Sequence, residues 1–287
     1  MALRILVVEG NTRAARERHA VAYGLTPAQS YAATLQEIEK GVLCDIAHPA
    51  DEGANLPDAG GLQSYDGVVL TGSALNIYDL APAVTRQIEL MRAVYASGTP
   101  AFGSCWGVQV GAVAAGGEVR KNPLGREVGF ARNIAPSEAG RAHPMLAGRP
   151  GAYDAPAIHL DVIAVPPDGC TVLAANRMAG IQAAEIRVNG GALWGVQYHP
   201  EFSLAEIAAI LDSRRQMLVS EGFCASLEEA GAYASELKAL HADPARHGLA
   251  WRHGVDEQVL DPACRTIEIR NFIEHWVRPE KSRRGRA

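Results

Sequence analysis

The sequence predicts an α/β fold: a doubly wound, mostly parallel sheet flanked by helices, with a C-terminal helical extension. Three observations carry this. Between Arg4 and Ala115, short apolar runs alternate with segments of helical period. The apolar runs are near-continuous, as in strands covered on both faces. A glycine-flanked cysteine, Gly103-Ser104-Cys105-Trp106-Gly107, stands between one such run and a helix, at a strand's carboxyl end, where open parallel sheets carry their sites.

Arg4 to Val8 is a buried-type strand, too short for a secretion signal. Arg13 to Gly24 is polar and carries no clear period. Thr26-Pro27 opens a helix that runs to Ile38, threonine as N-cap and proline in the first turn. Cys44 to His48 is a second strand, Gly53 to Gly61 a loop, and Tyr65 to Leu70 a third strand broken by Thr71-Gly72-Ser73. Pro82 to Ala96 places Val84, Ile88, Met91, Val94 and Tyr95 at helical spacing, Thr99 to Phe102 is the fourth strand, and Val108 to Ala115 is a helix.

From Gly117 the pattern changes to short strands separated by Gly, Pro and Asn: 118–120, 128–131, 157–165, 171–174, 181–188 and 192–197. The last delivers Tyr198-His199-Pro200-Glu201. Ser203 opens a helix to Val219. Further helices cover 226–241 and 256–277, with an interruption at Pro262. Residues 1–202 thus form the main domain and 203–287 the extension, expected to pack on it. From about residue 279 a basic tail (Lys281, Arg283, Arg284, Arg286) reads as frayed.

Composition narrows the function. With 48% hydrophobic and 21% charged residues the chain can bury a full core, and a net charge of −5 argues against nucleic-acid and acidic-membrane partners. No run spans a membrane. Five scattered cysteines without a Cys-x-x-Cys pair speak against a disulfide framework or a structural zinc site. A reducing cytoplasm suits such a chain. No metal or cofactor is expected.

Gly-x-Cys-x-Gly between strand and helix is the cysteine form of a nucleophile elbow, with glycines where side chains would strike neighbouring backbone. At the helix N-terminus, free N–H groups favour a thiolate; the competing reading of Cys105 is a small buried hydrophobe. A cysteine nucleophile needs a base and an orienting group. His199 and Glu201 supply both within one turn, although His-Pro-Glu alone would merely end a strand.

Leu70-Thr71-Gly72-Ser73, Gly103 to Gln109, Gly116-Gly117, Arg126 to Phe130, His159-Leu160-Asp161 and Gly195 to Glu201 occur in the order found in a known family. Over about residues 4 to 202 the chain resembles the class I glutamine amidotransferases, especially the amidotransferase domain of GMP synthetase and its stand-alone relatives. The resemblance implies a flavodoxin-like fold. It implies that Cys105 attacks a γ-glutamyl amide to form a thioester while His199, oriented by Glu201, protonates the departing amine and then activates water. It also implies an oxyanion hole from the N–H groups of Gly72 and Trp106, and a substrate end held by Ser73, Gln109, His159, Leu160 and Asp161.

Related enzymes usually have His-Gly-Asp where this chain has His159-Leu160-Asp161. The bulk of Leu160 leaves room for a γ-glutamyl donor other than free glutamine. His159 and Asp161 also read as a loop histidine and a turn cap, and Arg126-Glu127 as a structural ion pair. No P-loop and no recognisable synthetase segment occur in the sequence. Three readings follow: a glutaminase-type amidotransferase passing ammonia to a separate synthetase, a hydrolase of another γ-glutamyl amide or peptide, and a non-catalytic regulator. Intact Cys105, His199 and Glu201 oppose the last. The extension offers a homodimer surface, a lid or a synthetase dock, besides packing on the main domain.

Overall fold

A computed structural model describes residues 2–285. Eleven strands are present among them: β1 (Arg4–Val8), β2 (Leu43–Ala47), β3 (Gly67–Leu70), β4 (Ala101–Ser104), β5 (Glu118–Lys121), β6 (Glu127–Pro136), β7 (Tyr153–His159), β8 (Asp161–Val165), β9 (Cys170–Ala175), β10 (Ala183–Val188) and β11 (Gly191–Val196). Nine form one sheet in the order β2-β1-β3-β4-β11-β10-β9-β6-β7, and β5 pairs with β8 apart from it. The half from β2 to β11 is parallel. From β11 to β7 every pairing is antiparallel, so the short strands after Gly117 supply the antiparallel half of the doubly wound sheet.

Period two along β1 divides the core. Ile5 and Val7 face a cluster with Tyr31, Phe102, Val196 and Phe272, whereas Leu6 and Val8 face one with Met91, Val94 and Val108. β3, β4 and β11 are buried along their whole length, which is why their sequences do not alternate. Edge strand β2 keeps Leu43 and Ile46 exposed, and Cys44 is half-buried rather than deep in the core.

The Pro27–Ile38 helix starts as expected: Thr26 accepts from Gln29 N–H and the Gln29 side chain returns a bond to Thr26 N–H. Arg13–Tyr23 is also a helix, stopped by Gly24 at φ 99°. It shows no apolar stripe because its one buried side chain, Arg16, is paired with Asp51 at 2.6 and 2.8 Å. Two single segments of the sequence reading are interrupted. Residues 157–165 split at Leu160 into β7 and β8, which belong to different sheets. The helix begun at Ser203 breaks after Asp212 and resumes at Arg215–Ser220.

The C-terminal helices join the core. Ile269, Phe272, Ile273 and Val277 lie in the same cluster as Ile5, Val7 and Phe102, while Leu204–Asp212 and Leu227–Ala242 pack together over Phe130, Ile158 and Phe202. The expected fraying of the tail is corrected. Arg278–Arg283 is helical, the Lys281 ammonium donates to the Ala2 carbonyl at 2.6 Å and to Asp66 at 3.1 Å, and Arg284 donates to the Gly98 carbonyl at 2.8 Å. Lys281 and Arg284 thus dock the tail through their charges. Arg286 lies outside the described residues. No helix among the described residues is long and apolar enough to cross a membrane.

Candidate active site

β4 ends at Ser104 and the Trp106–Ala114 helix begins two residues later, leaving Cys105 at its N-cap with φ 51° and ψ −102°. A non-glycine residue there is strained by ~1–3 kcal/mol and persists only where its surroundings hold it. They do so through backbone: Cys105 N–H donates to the Val196 carbonyl of β11 at 2.7 Å. A β-carbon on Gly103 would lie 2.6 Å from the Gly107 carbonyl carbon, and one on Gly107 would lie 2.8 Å from the Leu70 carbonyl oxygen. Both glycines are therefore required by close backbone approach.

The β4–β11 pairing sets Val196 opposite Ser104, so the segment leaving β11 passes beside the elbow. His199 N–H donates to the Pro156 carbonyl at 2.8 Å. The His199 Nδ1 atom faces Glu201 Oε1 at 2.7 Å, and its ring stacks on Phe202 with centroids 3.9 Å apart and planes 4° from parallel. Its other side faces the Cys105 sulfur. Burial disfavours the imidazolium, but the Glu201 carboxylate and the neighbouring Cys105 outweigh it, and the His199 pKa is pushed up to about 10. The arrangement therefore sets the Cys105 sulfur beside an imidazole that retains its proton.

The loop after β3 closes over this group. Thr71 Oγ1 accepts from Gly10 N–H at 2.9 Å, the Asn11 side chain donates to the Gly72 carbonyl at 3.3 Å, and Ala74 N–H donates to the Asn11 side chain at 3.0 Å. Among the described residues the Gly72 N–H donates to no acceptor. Trp106 N–H is first in its helix, so no carbonyl of that helix lies behind it. The Trp106 ring is pinned by Nε1–H donating to Gln87 at 2.7 Å.

A cavity of about 330 Å³ opens beside Cys105, bordered by Ser73, Gln109, His159, Leu160, Asp161, Arg126 and Arg214. It brings together all five residues expected to hold a substrate, though in different ways. Gln109 Nε2 donates to the Asp161 carbonyl at 3.0 Å and to Gln197 at 3.1 Å. Both His159 ring nitrogens are engaged, with Glu127 at 2.8 Å and the Asp161 carbonyl at 3.1 Å. Asp161 accepts from the Tyr78 hydroxyl at 3.3 Å, and burial pushes its carboxyl up, opposed by Tyr78 and Arg126. Arg126 and Glu127 do not pair with each other: Arg126 binds Glu221 at 2.9 and 3.0 Å, and Glu127 receives His159, Asn176 and Gln182. Phe202 and Arg214 escaped the sequence reading. Phe202 follows the His-Pro-Glu turn directly, a usable signal, whereas Arg214 sits in an Arg-Arg pair that looks like a solvated helix face.

The sequence pattern of the family Glutamine amidotransferase class-I matches residues 32–214. Gamma-glutamyl-L-1-hydroxyisopropylamide hydrolase from a Pseudomonas species is 37% identical over 98% of this chain and 96% of its own length. The chain belongs to the class I glutamine amidotransferases. As a member it is a cysteine-dependent amidotransferase or amidohydrolase. The glutamine-hydrolyzing GMP synthase of Leifsonia xyli is 33% identical over 49% of this amidotransferase but only 26% of its own length. Among solved structures, a glutamine amidotransferase from Thermotoga maritima superposes with a TM-score of 0.66 over 96% of this chain and 99% of its own; at 16% identity this likeness speaks for the fold.

Proposed function

We propose that this amidotransferase hydrolyses a substituted γ-glutamyl amide through a thioester on Cys105. The observation that carries the reading is similarity along almost the whole of both chains to a hydrolase named for such an amide. Cys105 attacks the γ-carbonyl carbon, and the tetrahedral oxyanion accepts from the N–H groups of Gly72 and Trp106. The carbon–nitrogen bond breaks as the His199 imidazolium protonates the leaving amine. Neutral His199 then takes a proton from water, hydroxide attacks the thioester, and glutamate leaves as the sulfur regains its starting state. Glu201, 2.7 Å from Nδ1, orients the imidazole and stabilises its cation. Ser73, Gln109, Leu160 and Asp161 border the acyl end of the substrate, and His159 supports them through its bond to the Asp161 carbonyl.

Free glutamine is the second reading, favoured by the likeness to the GMP synthase segment. Under it, ammonia would pass to a separate acceptor enzyme. Glutamate release from glutamine and from a panel of N-alkyl and N-hydroxyalkyl γ-glutamylamides separates the two. A substituted amide is expected to give the highest kcat/KM. Preference for glutamine would replace the first reading with the second, and turnover unaffected by Cys105→Ala would remove both.

A further inference from the structure

The interruption between the Leu204–Asp212 and Arg215–Ser220 helices has a chemical consequence. It leaves Arg214 at φ −120°, ψ 23°, outside both helices. From there the side chain borders the cavity of about 330 Å³ with Cys105, Gln109 and Asp161, and also a recess of about 60 Å³ with Cys105, Gly72 and His199. It thus shares both openings with the reacting sulfur.

Neighbouring arginines already have carboxylates. Arg126 pairs with Glu221 at 2.9 Å, and Arg215 binds Asp212 at 3.0 Å. The Arg214 guanidinium has no hydrogen bond or ion pair among the described residues. Burial and nearby Arg126 both disfavour its charge, opposed by Cys105. A partly buried guanidinium with no counter-charge from the protein is available to a ligand that supplies one. Asp161 lines the same cavity. The pocket beside the nucleophile therefore offers one cationic and one anionic group, the complement of an amino acid's α-carboxylate and α-ammonium.

We infer that Arg214 binds the α-carboxylate of the γ-glutamyl group, a specificity-determining contact supplied from beyond the Leu204–Asp212 helix. This inference rests on the hydrolase reading above. Two parallel N–H···O bonds from the planar guanidinium fit a carboxylate. They fix the distance from the substrate's α-carbon to the γ-carbonyl over Cys105. Acyl donors lacking a free α-carboxylate leave the cation unpaired in the cavity wall, and are rejected.

The test measures kcat/KM for the best γ-glutamyl amide of the panel and for its α-methyl ester. The ratio of the two, taken on one preparation, does not depend on the fraction of folded protein. Wild type should prefer the free acid by about 10²-fold or more. Arg214→Gln should bring that ratio close to one, mainly by raising KM for the acid, and Arg214→Lys should retain part of it. Wild-type indifference to the ester, or an undiminished preference in Arg214→Gln, overturns the assignment while leaving the hydrolase reading intact. If wild type turns over no γ-glutamyl amide, the hydrolase reading falls and this one with it.

Discussion

The raised His199 pKa makes a signed prediction. The group titrates near 10 in the folded chain against 6.5 for an ordinary histidine. Its contribution to stability is therefore complete below about 6.5 and is lost as pH rises through about 10. A reaction that needs the imidazolium should fail on the same alkaline side. Glu201→Gln removes the anion at 2.7 Å, so the alkaline limb of kcat/KM should move to lower pH; an unmoved limb would mean that Glu201 does not hold the proton on His199. In Gly72→Ala the new β-carbon would lie 2.5 Å from His199 Cε1, and the ring cannot yield because Glu201 and Phe202 clamp it. Activity should drop by about 10²-fold or more, with a loss of about 1–3 kcal/mol in urea unfolding. His199 and Glu201 were legible in the sequence because acid–base chemistry ties residue type to spacing, and Gly72 through the family resemblance. Arg214 was not: an arginine after a helix looks the same whether it meets solvent or a cavity, and the sequence does not reveal that Glu221 and Asp212 neutralise its neighbours.

At the scale of elements, the site exists because β4 and β11 are parallel neighbours although β11 starts, at Gly191, 86 positions after Cys105. Continuous apolar runs revealed that both are buried strands, but not that they pair. Period and turn residues locate strands; only the folded sheet orders them, so the antiparallel half was visible as pieces without an arrangement. The sequence also joined β7 to β8, because Leu160 continues an apolar run although the chain changes sheets there. The elbow helix, by contrast, is held by a contact the sequence exposes. Gly107 approaches the Leu70 backbone of β3, and backbone in a paired strand cannot move aside. Gly107→Ala should push the helix off the sheet, costing about 1–3 kcal/mol in urea unfolding and displacing Cys105 from the Val196 carbonyl. Wild-type stability and activity in this variant would show the approach to be dispensable.

At the scale of the molecule, the C-terminal helices are wired to the strand that delivers His199. Arg149 donates two hydrogen bonds to the Glu268 carboxylate, at 2.7 and 2.8 Å, with side chains 1% and 0% exposed. The Tyr198 hydroxyl donates to the same Glu268 at 2.8 Å and meets Tyr153 at 2.8 Å. Glu268 thereby connects its helix to the residue immediately before His199. None of this was readable from a single acidic residue on an amphipathic helix, although the apolar positions Ile269, Phe272 and Ile273 did announce that the helix must pack on something. Because those three side chains complete the cluster around β1, main domain and extension should unfold in one transition. Glu268→Ala leaves the Arg149 cation buried without its counter-charge and Tyr198 without its acceptor. The expected loss is about 3–5 kcal/mol, a large share of the roughly 5–15 kcal/mol by which domains are stable, and it should appear as a lower urea midpoint common to tryptophan fluorescence and circular dichroism. Two separated transitions, or a midpoint unchanged by Glu268→Ala, would show instead that the sheet holds His199 without help from the C-terminal helices.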